Sequence, residues 1–206
     1  MADILGDMLT LLLMLSLAQK VNDHTMHHTP EEFAKVLDDP GRDAWQKPHE
    51  VVMALALKPD EVVADIGAGT GYFSKRFARH AGKVYAVDIA QMLLDKAKQN
   101  EPKLEIVLAA TDDPRLPDGT IDTIFICNTL HHIEQRPAYY AKLSKALKPG
   151  GRLVILEFHK RETAVGPPVK ERIAQADCVK ELKAAGFKKT QEWKMLPTQY
   201  FLEFRH

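Results

Sequence analysis

The sequence predicts an α/β protein whose central sheet is doubly wound and largely parallel. Three observations lead to this fold class. Short apolar runs alternate with segments of helical spacing from Val62 onward, the first run ends at a cluster of glycines, and apolar residues make up 45% of the chain. Alternation of strands and helices over this length is typical of a parallel sheet with right-handed crossovers. The 206 residues leave room for one such domain.

Five short apolar runs are predicted to be buried strands, because each is bounded by polar or glycine-containing turns. They are residues 62–66, 83–87, 104–109, 122–127 and 152–158. Helical spacing occupies 71–80, 90–100 and 138–147, and a further helix through Val179 and Leu182 is closed by Gly186 at a C-terminal cap position. The stretches 188–196 and 198–205, on either side of Pro197, are predicted to form a terminal antiparallel pair.

Residues 1–47 are predicted to form a short helical extension ahead of the strand-helix series. Thr29 is a suitable N-cap, followed by a proline at the first helical position and an acid three residues on. A helix is therefore expected from Thr29 to about Asp38, before Pro40-Gly41. A second helix opens at Pro48, so the main domain is assigned to residues 48–206.

The apolar run from Met8 to Leu17 has several open interpretations. It is too short to span a bilayer, which takes about 20 residues. Its length fits the core of a secretory signal within residues 1–18, but acids and no Lys or Arg precede it. Otherwise it is a retained amphipathic helix that contacts its own domain, a partner subunit or a membrane surface through residues 8–17. We expect a cytoplasmic protein, with membrane association or export as the alternatives.

The net charge argues against nucleic-acid binding, and the spacing of cysteines and histidines argues against a metal site. Lys and Arg total 28, as do Asp and Glu, so the formal net charge is zero, without the basic excess of nucleic-acid binders. Cys127 ends an apolar run, where a cysteine is usually buried, and two cysteines far apart in sequence, Cys127 and Cys178, support neither a disulfide framework nor a cysteine metal site. His24, His27 and His28 have no cysteine nearby, so we expect solvated histidines and no metal. The sequence contains no indication of oligomeric state.

A glycine-rich turn, Asp65-Ile66-Gly67-Ala68-Gly69-Thr70-Gly71, follows the first predicted strand. Glycines at such a turn let the backbone approach a ligand closely while helix N–H groups face it. The spacing differs from the G-x-G-x-x-G of dinucleotide enzymes, and no G-K-[ST] of a P-loop follows. Asp88 ends the second predicted strand, where an acid can accept hydrogen bonds from ribose hydroxyls. A nucleoside-bearing ligand is therefore expected at this edge of the sheet.

The chain resembles the class I S-adenosylmethionine-dependent methyltransferases over about residues 48–205. The segments that carry the resemblance are VVADIGAGTGYFS, VYAVDIA, LPDGTIDTIF, CNTLHHI and LKPGGRLVILEF, which follow the order and spacing of that family's motifs. The resemblance implies S-adenosylmethionine as cofactor. It also implies a Rossmann-like sheet of seven strands in the order 3-2-1-4-5-7-6, with strand 7 antiparallel.

The resemblance also implies the roles of the cofactor-site residues. Asp65 is expected to hold the methionine end, Asp88 the ribose, and Ile89 the adenine face. An acid after the third strand is expected at the adenine amino group, and of Asp112 and Asp113 we favour Asp112. The expected cofactor-binding set is Asp65, Gly67, Ala68, Gly69, Gly71, Tyr72, Asp88, Ile89, Asp112 and Asn128.

Methyl transfer needs mainly in-line placement of a nucleophile, because the sulfonium is already activated. A general base is required only for an acceptor that is protonated at working pH. The motifs assign no catalytic residue, and the candidates are His131, His132 and Glu157. Each of them has packing or a surface position as the alternative interpretation.

We expect a methyltransferase acting on a small or amphiphilic acceptor, such as a metabolite or a lipid headgroup, because the sequence contains no large insertion. The alternatives are a non-catalytic cofactor-binding module acting through a protein partner, and a nicotinamide oxidoreductase. Residues 29–47, with Trp45, are expected to cover the cofactor pocket as a lid, with plain packing onto the domain as the other interpretation.

Overall fold

A computed structural model describes residues 30–206 and places a seven-stranded sheet at their centre. The strands are β1 (Val62–Ile66), β2 (Lys83–Asp88), β3 (Glu105–Leu108), β4 (Ile121–Cys127), β5 (Leu147–Phe158), β6 (Lys188–Trp193) and β7 (Gln199–Arg205). The helices are α1 (Pro30–Leu37), α2 (Arg42–Gln46), α3 (Pro48–Leu55), α4 (Ser74–Phe77), α5 (Gln91–Asn100), α6 (Arg136–Ala146) and α7 (Gln175–Ala184). Short 3-10 turns occupy Leu130–His132 and Val169–Glu171.

The strand order is 3-2-1-4-5-7-6, which confirms the predicted topology. Strands β1 to β5 pair in parallel, and β7 lies antiparallel between β5 and β6. The parallel strands therefore bring their carboxyl ends to one edge of the sheet.

Two apolar layers cover the two faces of the sheet. One face packs against α6 and α7 through side chains such as Tyr140, Leu143 and Leu182. The opposite face packs against α3, α4 and α5, with Leu55 and Phe77 fully buried. The central strands are apolar on both sides because both of their faces are covered.

The predicted boundaries differ from the structure by the most residues at two places. The helix expected over 71–80 is confined to Ser74–Phe77, since the glycine turn runs on before it. The strand expected to begin at Arg152 begins at Leu147, which pairs with Ile121. The register shifts between Ile121 and Thr123 because the Lys148-Pro149-Gly150-Gly151 segment inserts extra residues into β5.

Within residues 30–206, no helix has both the length and the apolar character needed to cross a bilayer. Across the same part of the chain, no three His, Cys, Asp or Glu side chains are grouped so as to hold a metal ion. The predictions for Met8–Leu17, for His24, His27 and His28, and for Thr29 fall outside the described residues.

Candidate active site

A cavity of about 1360 Å³ lies at the carboxyl ends of β1, β2 and β4. Strand β1 is flanked by β2 on one side and β4 on the other. The strand order reverses at this point, which is where ligands bind in open α/β sheets. The volume exceeds the ~300–1,000 Å³ usual for one drug-sized ligand. The cavity therefore has room for a cofactor and an acceptor together.

Most of the residues predicted from the sequence border this cavity, and three do not. Gly71, Asp112 and Glu157 lie outside its lining. The predicted residues that line it are Asp65, Gly67, Ala68, Gly69, Tyr72, Asp88, Ile89, Asn128, His131 and His132.

The glycine turn is held beneath the cavity by the neighbouring strand. The N–H groups of Gly67 and Ala68 both donate to the carbonyl of Val87, at 2.8 and 3.0 Å. Gly67 has φ +71°, and a Cβ built on it would lie 2.1 Å from the hydroxyl of Thr129. This close approach leaves no space for a side chain. Gly71 serves packing on α5 instead, since its Cβ would meet that of Ala97 at 3.2 Å.

Asp65 is a buried carboxylate at the end of β1 and borders the cavity. The hydroxyl of Ser74 donates to its Oδ2 at 2.6 Å. Burial raises the pKa of Asp65 to about 7, although the Ser74 hydrogen bond and the positive charge of Arg42 oppose the shift. A cationic ligand group beside this carboxylate would favour its ionised form.

Asp88, at the end of β2, is held by two backbone donors. Gly69 N–H donates to its Oδ2 at 2.8 Å, and Ala90 N–H donates to its Oδ1 at 3.0 Å. Each carboxylate oxygen keeps a further acceptor site. The next residue, Ile89, lines the cavity and is 60% exposed, which is unusual for a large apolar side chain. The pair therefore offers hydrogen-bond acceptors beside a free apolar face.

The residue expected to meet the adenine amino group is not brought to the cavity. The side chain of Asp112 is 71% exposed, and its Oδ2 lies 3.6 Å from Nζ of Lys142. A tight reversal, in which Ala110 pairs with Asp113, turns Asp112 away, and Thr111 lines the cavity in its place.

Asn128 follows β4 in a left-handed conformation, with φ +53°, and belongs to a closed ring of three amides. Gln46 Nε2 donates to Gln199 Oε1 at 2.6 Å, Gln199 Nε2 donates to Asn128 Oδ1 at 2.6 Å, and Asn128 Nδ2 donates to Gln46 Oε1 at 3.3 Å. Gln46 and Gln199 are buried. The ring ties α2 and the start of β7 to the cavity wall.

Arg42 was not singled out by the sequence, although it lies in the same segment as Trp45. Its guanidinium stands 3.8 Å from the ring centroid of Tyr72, and its Nε donates to Gln46 Oε1 at 3.2 Å. It borders the cavity and acts electrostatically on Asp65. The Tyr72 hydroxyl donates to Asp43, so α2 is fastened over the glycine turn. A cation and a carboxylate thus share one end of the cavity.

His131 and Glu157 form a buried pair. Nδ1 of His131 lies 3.1 Å from both carboxylate oxygens of Glu157, and Leu130 N–H donates to Glu157 Oε1 at 2.9 Å. The ring of His132 packs against that of His131 with centroids 4.1 Å apart. Both histidines line the cavity, and Glu157, outside the lining, contacts Nδ1 of His131.

The remaining wall of the cavity is largely apolar. Trp45 packs on Phe158 with ring centroids 5.5 Å apart. The loop after β5 completes this wall, and the buried guanidinium of Arg172 shapes it by donating to the carbonyls of His159, Arg161 and Pro167 at 2.7–3.1 Å. Arg172, which also donates to the Thr163 hydroxyl at 2.8 Å, was not predicted, because nothing in a linear sequence indicates a cation that binds the backbone and hydroxyl oxygens of its own loop. The apolar side chains of this wall are Val36, Leu37, Trp45, Phe158, Ala164, Val165 and Pro167.

Comparison with known proteins gives matches for both sequence and fold. Residues 64–155 match the family described as methyltransferase domain. Demethylmenaquinone methyltransferase of Streptomyces avermitilis is 32% identical over 145 residues, covering 63% of this chain and 61% of that protein. Phosphoethanolamine N-methyltransferase 1 of Arabidopsis thaliana is 31% identical over 114 residues, covering 53% of this chain and 23% of that protein. The chain spans less than two thirds of the length of these relatives.

Among solved structures, a SAM-dependent methyltransferase from Aquifex aeolicus is similar to the chain with a TM-score of 0.79 and 25% identity, covering 86% of this chain and 98% of that one. The fold is Rossmann-like, and the cavity lies beside the glycine turn that follows β1. Residues 64–155 are a methyltransferase domain, and the chain has the fold of the class I S-adenosylmethionine-dependent methyltransferases.

Proposed function

We propose that this protein transfers the methyl group of S-adenosylmethionine to a small or amphiphilic acceptor. The observation that carries the proposal is a single cavity with two different ends. One end holds the glycine turn with the carboxylates of Asp65 and Asp88, and the other is lined by Trp45 and Phe158. A charged, nucleoside-bearing cofactor fits the first end, and an apolar acceptor fits the second.

The residues at the polar end fit the cofactor group by group. The ammonium of the cofactor's methionine part would pair with the buried carboxylate of Asp65. The guanidinium of Arg42 would bind the carboxylate of the same methionine part. Asp88 would accept the ribose hydroxyls, with Ile89 against the adenine. The turn at Gly67, which leaves no room for a Cβ, would admit the ligand close to the backbone. Arg42 thus adds a residue to the set predicted from the sequence.

The bound cofactor would supply an activated methyl group, so the protein's part is to position the acceptor and exclude water. Helix α2 covers the cavity from one side through Trp45, and the loop held by Arg172 closes it from another. We infer that residues 29–47 act as the lid and that the amide ring at Gln46 keeps it seated. Membrane contact through residues 8–17 would suit an amphiphilic acceptor.

The names of the relatives support a small acceptor without selecting one. One is named for demethylmenaquinone and another for the nitrogen of phosphoethanolamine, so the chemistry differs between them. The acceptor of this chain is therefore best sought by assay.

Incubation with S-adenosylmethionine labelled in the methyl group, against a panel of metabolites and lipids, tests the proposal. We expect label in at least one extractable small molecule, and its loss in Asp88→Ala. Cofactor binding without label in any acceptor would favour the alternative, a non-catalytic module acting through a protein partner. Label recovered only in added protein or RNA would contradict a small acceptor.

A further inference from the structure

The His131–Glu157 pair gives the part of the cavity proposed for the methyl acceptor a base of fixed orientation. Glu157 is 1% exposed, and its carboxylate faces Nδ1 of His131 with both oxygens. Oε1 also accepts the N–H of Leu130. A carboxylate held in this way accepts a hydrogen bond, so the neutral imidazole carries its proton on Nδ1.

That arrangement leaves Nε2 of His131 as the unprotonated nitrogen. The side chain of His131 is 3% exposed, yet the residue lines the cavity. The other carboxylates of the lining, Asp39, Asp65 and Asp88, are engaged by Gly41 N–H, the Ser74 hydroxyl and two backbone N–H groups. We take Nε2 of His131 as the base of the cavity, because the Glu157 carboxylate fixes the tautomer of this lining side chain.

The acceptor end also limits the charge of the molecule that it can hold. Its wall is built from Trp45, Phe158, Val165 and similar side chains. The guanidinium of Arg42, which also borders the cavity, donates to Gln46 Oε1 and the Leu37 carbonyl, and its charge is assigned to the cofactor carboxylate in the proposed function. An acceptor with a phosphate or an alkylammonium group would be buried there without a free counter-charge, which is costly.

We propose that the acceptor is an apolar, uncharged molecule with an acidic O–H, such as a phenol, and that His131 removes its proton. This inference rests on the proposed function and names its substrate class. The proton passes from the acceptor oxygen to Nε2 of His131. The electron pair left on oxygen forms the bond to the methyl carbon, and the carbon–sulfur bond breaks with its pair kept by sulfur. Glu157 is a positioning residue that stabilises the resulting imidazolium, and the proton is later released to water.

The first test reads the tautomer directly and needs no acceptor. The ¹⁵N spectrum of the histidine-labelled protein with bound adenosylhomocysteine is recorded, and the signals of His131 are assigned by their loss in His131→Asn. We expect a protonated Nδ1 and an unprotonated Nε2 in the neutral ring. A proton on Nε2 in the wild type would overturn the assignment of His131 as base.

The second test measures transfer of labelled methyl to 4-ethylphenol, 4-nitrophenol, octylamine and O-phosphoethanolamine. We expect labelled phenols and a loss of about 10²-fold or more in kcat for 4-ethylphenol in His131→Asn, the range for removal of a general base. The loss should be far smaller for 4-nitrophenol, which is largely ionised at pH 8 and needs no base. Its negative charge lies on the reacting oxygen, where the positive sulfonium of the cofactor would offset it, so the cost that excludes a remote phosphate does not apply. A merely structural role of His131 would lower both rates alike.

Matched controls separate this inference from the proposed function. The exposed His80 lies outside the cavity lining, so His80→Asn should leave both phenol rates unchanged. Adenosylhomocysteine should bind His131→Asn as tightly as the wild type. Label only in the amine or the phosphoester, or in none of the four while adenosylhomocysteine binds, would overturn the acceptor class. Failure of adenosylhomocysteine to bind the wild type would instead overturn the proposed function.

Discussion

The side-chain amide of Gln46 donates a 2.6 Å hydrogen bond to that of Gln199, across 153 residues of sequence. Both side chains are buried, and Asn128 closes the ring between them. One member lies on α2, one after β4 and one at the start of β7. The ring therefore joins α2 to the sheet at the wall of the cavity.

Removing one member of this ring should cost stability and cofactor affinity together. Gln46→Ala leaves Gln199 Oε1 and Asn128 Nδ2 without that partner, and we expect a loss of about 1–3 kcal/mol in the free energy of unfolding. Urea denaturation measures the loss, and titration with adenosylhomocysteine measures the affinity. Gln91→Ala is the control, because Gln91 is exposed and bonds only to Asp95 on the same helix. Equal effects of the two substitutions would contradict a structural role for the ring.

Truncation separates the lid from the segment before it. A chain of residues 30–206 keeps α1 and the ring, and we expect it to bind adenosylhomocysteine like the full chain. A chain of residues 48–206 lacks Arg42, Trp45 and Gln46, so we expect the sheet to persist with a lower Tm and a weaker affinity. Circular dichroism and calorimetric titration measure these effects. Full affinity in the shorter chain would remove the lid from the account.

A side chain at the first glycine of the turn, Gly67, should destabilise the protein and prevent cofactor binding. Gly67→Ala combines a left-handed backbone with a Cβ 2.1 Å from the Thr129 hydroxyl. Gly150→Ala is matched to it, since Gly150 has φ +79° and nothing within 4 Å of its Cβ position. We expect Gly67→Ala to destabilise the protein by about 1–3 kcal/mol more than Gly150→Ala, the usual cost of overpacking, and to lose cofactor binding. Comparable unfolding curves for the two variants would show that the turn can accommodate a Cβ at Gly67.

The raised pKa of Asp65 predicts that stability and cofactor affinity change in opposite directions with pH. Its pKa is raised from 3.8 to about 7, so the folded protein holds this proton more tightly than the unfolded chain does. The free energy of unfolding should therefore fall between about pH 4 and pH 7, as far as Asp65 contributes. Affinity for adenosylhomocysteine should rise through pH 7, because the ligand ammonium favours the carboxylate.

Asp65→Asn isolates the contribution of that carboxylate. The amide oxygen can still accept from the Ser74 hydroxyl, so the fold should hold and the unfolding free energy at pH 8 should not decrease. Cofactor affinity should fall and lose its rise through pH 7. An unchanged pH profile of the Kd would assign the rise to another group.

The sheet could be predicted from the sequence because its central strands are apolar on both sides. Such strands are recognised as short, continuous apolar runs between turns. The glycine turn was predictable for a similar reason, since glycine residues alone indicate where the backbone approaches a ligand or a neighbouring segment too closely for a side chain. Gly71 shows the limit of that inference, because its left-handed φ of +82° and the Ala97 Cβ 3.2 Å from its Cβ position favour glycine without any ligand.

Gln46 and Arg172, two polar residues that shape the cavity, could not be predicted, because their hydrogen-bond partners follow no sequence pattern. Gln46 is buried by Gln199 and Asn128, and Arg172 by the carbonyls of its own loop. Asp112 was expected at the cofactor, but a two-residue reversal directs it to Lys142. No periodic pattern marks such contacts before the fold is known.

The most direct test of the central claim is calorimetric titration of the wild-type protein and Asp88→Ala with adenosylhomocysteine, and of the wild type with NAD. We expect the wild type to bind adenosylhomocysteine and not NAD. In Asp88→Ala the loss of hydrogen bonds to a charged group should weaken binding by about 1.5–3 kcal/mol, or about ten- to a hundredfold in Kd. An unchanged Kd in the variant, or binding of NAD in place of adenosylhomocysteine, would contradict the assignment of this cavity to S-adenosylmethionine.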